Sequence, residues 1–175
     1  MNSDLSGWSV GTVTDMEHTF RGASKFVGTG LNLWDTASTV SMRYAFNAAR
    51  EMNSDLSKWN VAKVKTLAHM LKKARKFVGT GLSEWDTTSV TSLRETFRNA
   101  VEMNSDLSAW KVGKVTMLAY TFHAASKFVG TGLELWDTSS VDIMFNTLYD
   151  ASKFVGTGLA LWDTASVTTL WRTFQ

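Results

Sequence analysis

The stretch Lys76–Val90, KFVGTGLSEWDTTSV, recurs with small changes from Lys25, Lys127 and Lys153, and a sister phrase, MNSDLSxWxV, begins at Met1, Met52 and Met103. Seven tryptophans sit in these phrases, Trp8, Trp34, Trp59, Trp85, Trp110, Trp136 and Trp162, spaced by 25 or 26 residues. Around each lies one frame: Leu three before, usually Val five after, Met or Leu eight after, and Phe or Leu at twelve. Ala usually follows at fifteen. A unit this short cannot bury its own apolar face, whereas stacked neighbours can, so the period identifies a repeat architecture.

Two kinds of unit alternate. The shorter has Asn-Ser-Asp before its Leu (Asp4, Asp55, Asp106), and the longer has Val-Gly-Thr-Gly (Gly30, Gly81, Gly132, Gly158). Those glycines predict a corner with positive φ. Leu-x-x-Trp-x-Val/Thr predicts a short strand, with Trp and the residue two beyond it pointing inward. Met16, Phe20 and Ala23 stand at i, i+4 and i+7, which predicts a turn or two of helix, with Thr14 and Glu17 as a capping box. Thr39-Val40 reverses the usual Val-Thr order, and a local distortion is expected there. The fold expected is an α/β repeat solenoid: a right-handed, leucine-rich-repeat-like coil with a parallel β-sheet on one face and short helices on the other. Residues 1–175 form a single segment of seven coils.

Composition excludes several classes. With 44% hydrophobic and 19% charged residues, the chain is folded rather than disordered. A net charge of +2 does not by itself imply nucleic acid or a membrane surface. No cysteine is present, so there is neither a disulfide nor a thiolate metal site. Proline is absent too, which leaves the turns to Gly, Asn, Asp and Ser. No apolar run approaches membrane-spanning length. His18 and His69 share a column two units apart, and no nucleophile motif, HExxH or phosphate loop with its Lys occurs. The reading expects no enzyme, no cofactor and no metal.

The string from Asp4 to Ala23, Asp-Leu-Ser-x-Trp-x-Val-x-x-Val-Thr-x-Met-x-x-x-Phe-x-x-Ala, resembles the bacterial surface protein repeat of 26 residues. That family is a mycoplasma-type domain of unknown function grouped with BspA-like leucine-rich repeats, and the resemblance extends over all seven units. It implies a leucine-rich-repeat solenoid, display at the cell surface, and adhesion or protein binding. It carries no catalytic residue. The family's Asn after the Phe that opens a coil is replaced here by Val27, Val78, Val129 and Val155.

If each Trp points inward, its two neighbours point outward. The outward candidates for partner binding are Asp35, Glu84, Asp86, Lys111, Leu135, Asp137, Leu161 and Asp163. Lys58 is expected to neighbour Glu84, and Asp86, Lys111 and Asp137 to alternate in sign along the stack. Where two long units follow each other, Asp137 and Asp163 become neighbours beside Leu135 and Leu161, an acidic and apolar patch. Between Lys58 and Arg75 runs a basic stretch, Lys63, Lys65, Lys72 and Lys73, then Lys76; it could hold an anionic polymer, but reads first as solvated charge on a helical face. Trp171 replaces Glu17 or Arg94 of other units and is the candidate end contact. With neither end capped, the chain is expected to be part of a longer protein or to self-associate end to end. The functional expectation is a non-catalytic scaffold that binds a protein or cell-surface partner, without nucleic acid or membrane insertion. A structural assembly subunit is the second expectation and glycan binding the third.

Overall fold

The computed structural model describes residues 2–175; Met1, read above as sharing the register of Met52 and Met103, lies outside them. Seven units lie side by side in parallel register. One residue of each makes a parallel bridge to the next, running Asp15, Ser41, Thr66, Ser92, Met117, Ile143 and Thr169. The ladder is one residue wide, because a turn starts directly after each bridging residue.

The expected α/β solenoid is therefore not formed. Among the described residues there is no β-sheet and no α-helix; the only helices are three-residue 3-10 turns at Leu31–Leu33, Leu82–Glu84, Leu133–Leu135 and Leu159–Leu161. Leucine-rich-repeat character falls with the sheet that defines it.

The helix expected at Met16, Phe20 and Ala23 is replaced by two tandem turns. Thr19 N donates to Met16 O (3.3 Å) and Ala23 N to Phe20 O (3.1 Å). The third residue of each turn is left-handed, His18 at φ 60° and Gly22 at φ 76°, as a turn of this kind requires. Met16 and Phe20 each open a turn and both are buried, so tandem turns reproduce the spacing of four that suggested a helix. Thr14 and Glu17 cap nothing. Glu17 N–H instead donates to Asp15 Oδ1 (2.7 Å), and Glu17 Oε1 accepts from Ser41 Oγ (2.7 Å).

Hydrogen bonding explains the choice. Alternate amides, those of Met16, His18, Phe20 and Gly22, donate to the Ser41, Arg43, Ala45 and Asn47 carbonyls of the next unit at 2.7–3.1 Å. The amides between them close turns within the unit. An α-helix would satisfy every amide internally and leave no backbone bonds between units. Left-handed geometry recurs at Tyr44 and Ala48, His69 and Lys73, Glu95 and Asn99, Tyr120 and Ala124, and Asn146 and Asp150. Each such non-glycine residue costs about 1–2 kcal/mol, which the inter-unit bonds and the core offset.

The glycine corners have positive φ as expected, Gly28 at 94° and Gly30 at 88°. Close approach matters more than φ at Gly81, where a Cβ would stand 2.1 Å from Ser57 N of the preceding unit. In the shorter units Asp4, Asp55 and Asp106 make the corner instead, each accepting the amide two residues on at 2.8 Å. The Leu-x-x-Trp segment is a turn rather than a strand, closed by Trp N to Leu O at 3.0–3.2 Å.

Core columns run through the stack. Trp34 to Trp162 are buried, and five neighbouring indole pairs (Trp8–Trp34, Trp34–Trp59, Trp85–Trp110, Trp110–Trp136 and Trp136–Trp162) stack with centroids 6.1–6.4 Å apart and planes within 11°. Every buried indole also donates Nε1–H to the Leu carbonyl of the unit before, as Trp85 does to Leu56 O at 3.1 Å. At Thr39-Val40 there is no distortion. Thr39, a near-isostere of Val, fills the buried slot, and its hydroxyl donates to Val13 O at 3.1 Å.

Two sets of variants test this account by chemical denaturation. Trp85→Ala should lose about 3–5 kcal/mol, and Trp85→Phe, which keeps a ring but no donor, about 1–3 kcal/mol; a Phe variant as stable as the parent would show that the Nε1 bond contributes nothing. Gly22→Ala, with open space around its Cβ, should lose only about 1 kcal/mol. Gly81→Ala meets backbone and should lose several times more; equal losses would refute the close-approach argument.

Candidate functional site

The residues on either side of each Trp form two outward columns, and every one of them is exposed. Leu33, Leu135 and Leu161 stand out, at 56, 64 and 73% exposure. Beside them lie Asp35, Asp137 and Asp163. Glu84 and Asp86 hold the same positions one doublet on from Leu33 and Asp35, and Lys111 follows in the next unit. Lys111, Leu135 and Asp137 meet around one shallow groove whose other walls are Thr88, Gly113 and Lys114.

The aspartates have a local structural duty. Oδ1 of Asp35, Asp86, Asp137 and Asp163 accepts the amide two residues on at 2.9–3.1 Å, making an Asx turn after the Trp. Asp137 also accepts Ser139 Oγ (2.6 Å) and Asp86 accepts Thr88 Oγ1 (2.5 Å). Those hydroxyl bonds first, then the amides, hold both carboxyls below the usual aspartate range. The second oxygen of each carboxylate remains free to meet a donor from outside. Asp137 Oδ2 lies close to Gly113, where a Cβ would stand only 2.9 Å from it.

Lys58 and Glu84, and Asp86, Lys111 and Asp137, stand in successive units with alternating sign as expected, but they do not close into ion pairs. No ion pair joins Lys58 to Glu84, or Lys111 to Asp86 or Asp137, among the described residues. Asp137 and Asp163 are in adjacent units, linked by Thr138 Oγ1 donating to Asp163 O (2.9 Å). No cluster of three or more metal-ligating side chains occurs among the described residues. Trp171 is exposed in the last unit, with Arg172 over its ring at 4.6 Å, and lies near exposed Leu170 and Phe174.

The ion pairs gather on a second surface, formed by the tandem turns. Glu95 is buried there, with Lys72 Nζ at 2.5 Å, Arg98 at 3.0 Å, His69 Nδ1 at 3.7 Å and Arg94 at 3.8 Å. Burial alone would raise its pKa, but His69, Lys72 and Arg98 more than offset this and hold the carboxyl far below the usual glutamate range. His69 stacks on Tyr44 at 4.3 Å, and Tyr44 on His18 at 4.7 Å. Burial, and then Arg98, lowers the pKa of His123. The cluster is not evident in the sequence because His69 and Lys72 stand 26 and 23 residues before Glu95, in the preceding unit. The signal was a lone Glu95 in a column of His, Tyr and Asn, with Lys72 and Arg98 in the adjacent column.

Two comparisons with known proteins return nothing: no curated protein and no solved structure matches the chain. A third finds a family described as "Mycoplasma protein of unknown function, DUF285", matching residues 1–81 and again 76–175. That match supports the mycoplasma-type domain of unknown function. It does not extend to a BspA-like leucine-rich-repeat identity, and the missing sheet speaks against one.

The Glu95 cluster sets the acid limb of stability. Its folded pKa lies below the unfolded value of 4.5, so its contribution is complete above that value and is lost as pH falls below it. Glu95→Gln should destabilise by about 2–3 kcal/mol at pH 7, by leaving Lys72 and Arg98 without their counter-ion. The variant should also show a flatter fall in stability between roughly pH 5 and pH 2, where carboxylates protonate. Parallel pH–stability curves for variant and parent would remove Glu95 from this role.

Proposed function

We propose that this chain, which belongs to the Mycoplasma family of unknown function DUF285, is a non-catalytic module that binds a protein partner through the outward columns flanking its tryptophans. One observation carries the reading: Leu33, Leu135 and Leu161 are more than half exposed, each two residues from an exposed aspartate held in an Asx turn. Apolar side chains beside mainly acidic ones suit a partner with an apolar anchor and a largely basic rim. The units hold this surface on backbone bonded in both directions, so little ordering is required on binding. Glu84 and Asp86 continue the acidic column, and Lys111 interrupts it.

A second reading is self-association through the last unit. Exposed Leu170, Trp171 and Phe174 favour it, since in the earlier units the first and third of these positions are buried. Sedimentation across concentrations separates the two readings: a strict monomer counts against self-association and leaves the partner surface standing.

The leading reading is tested with a partner recovered by crosslinking through a photo-reactive residue placed at Ala160. Leu135→Ser with Leu161→Ser should weaken that complex about tenfold or more, on the scale of two lost anchors. Asp137→Lys with Asp163→Lys should mainly slow association. Unchanged affinity in both double variants would refute the surface.

A further inference from the structure

The tandem-turn surface has a charge and chemistry that the partner surface does not use. At the two central positions of each turn in the first four units, six cations, Arg21, Arg43, Lys72, Lys73, Arg94 and Arg98, face two carboxylates, Glu17 and Glu95. That is a local charge of +4 in a chain of +2, so the remainder is net acidic. The charge is not diluted by a helix turning it through solvent. Each unit presents the same turn positions in register with the next, because the amides of one turn donate to the carbonyls of its neighbour. Arg43 and Arg94 hold one position in units two apart, which places their backbones about 10 Å from each other at ordinary inter-strand spacing.

A second observation points to an acceptor from outside. Among the described residues, three buried side-chain nitrogens have no hydrogen-bond partner: His69 Nδ1, Arg98 Nε and His123 Nδ1. All three belong to the group around Glu95. Glu95 is one carboxylate among Lys72, Arg94 and Arg98, so two positive charges there lack a counter-ion. The three buried nitrogens are out of reach of a surface ligand, but Arg94 and Arg98 are partly exposed, and a planar guanidinium is suited to sulfate or carboxylate.

We propose that this surface is a binding site for a linear polyanionic polysaccharide, whose sulfate or carboxylate groups lie along Arg43, Lys72, Lys73, Arg94 and Arg98. Nucleic acid carries the same sign of charge, but the surface lacks free stacking platforms. Tyr44 is stacked between His18 and His69 and flanked by Arg21 and Arg43, and Tyr120 lies under Arg98. Rings occupied in this way have no open face for bases. A regular row of cations matches a polymer with evenly repeated charges, and the outward columns on the other surface, being acidic, would repel it.

The experiment titrates the intact chain with fluorescently labelled heparin over a series of NaCl concentrations, and with labelled poly(dT) of matched charge. The parent should bind heparin with a marked salt dependence and bind poly(dT) at least tenfold more weakly. Arg43→Glu/Lys73→Glu/Arg94→Glu, three exposed positions away from the buried core, should weaken heparin binding at least tenfold and flatten the salt dependence. Far-UV circular dichroism should be unchanged; should the triple variant misfold, Lys73→Glu alone should still weaken binding severalfold. The charge-matched control Lys58→Glu/Lys111→Glu/Lys114→Glu should leave binding intact. Absence of heparin binding, or an equal loss in the control, overturns the site; equal affinity for poly(dT) overturns the polysaccharide as its occupant.

Discussion

Each buried tryptophan holds two units together with one side chain. The rings of Trp34, Trp110 and Trp136 stack on the indoles before and after them, and each buried Nε1–H reaches back to a leucine carbonyl of the preceding unit. The apolar area supplies most of the free energy, and the hydrogen bond fixes register, because an indole displaced by one residue would leave a buried donor unpaired. Everything else in the fold depends on that register. The alternate amides of the tandem turns find their carbonyls only when units stand residue for residue, and the left-handed positions are tolerated only because those bonds form.

Strict register also turns sequence columns into surface stripes. A residue type repeated at one place in the frame becomes a line on the molecule, and its chemistry adds along that line. The flanks of the tryptophan column give an acidic and apolar stripe, and the turn positions of the first four units give a basic one. Charge is segregated in this way without long-range design: the two stripes arise from different positions of one repeating frame. Two surfaces with opposite preferences follow, and neither requires an enclosed cavity or a catalytic group.

The tryptophan frame in the sequence predicted the core almost residue by residue, since burial follows from period and from apolar type alone. It also predicted the glycine corners and the outward direction of Leu135, Asp137, Leu161 and Asp163. Secondary structure was not legible in the same way. The spacing of Met16 and Phe20 is shared by a helix and by tandem turns, and what separates them is whether amides bond inside the unit or across to the next. The spacing itself does not encode that. Leu-x-x-Trp likewise has the inward pattern of a strand, yet it closes into a turn.

Sequence alone thus determined the seven-fold repeat, the identity of its core columns and which residues would be exposed, because these depend on hydrophobic period and side-chain type. The tertiary structure decided the rest. It set the tandem turns in place of helices, the absence of a sheet, the indole bonds between units, and the gathering of Lys72, Arg98, His69 and Glu95 from separate units. Those features depend on how one unit's backbone meets the next, a relation between residues about 25 apart that is fixed only once the units are stacked.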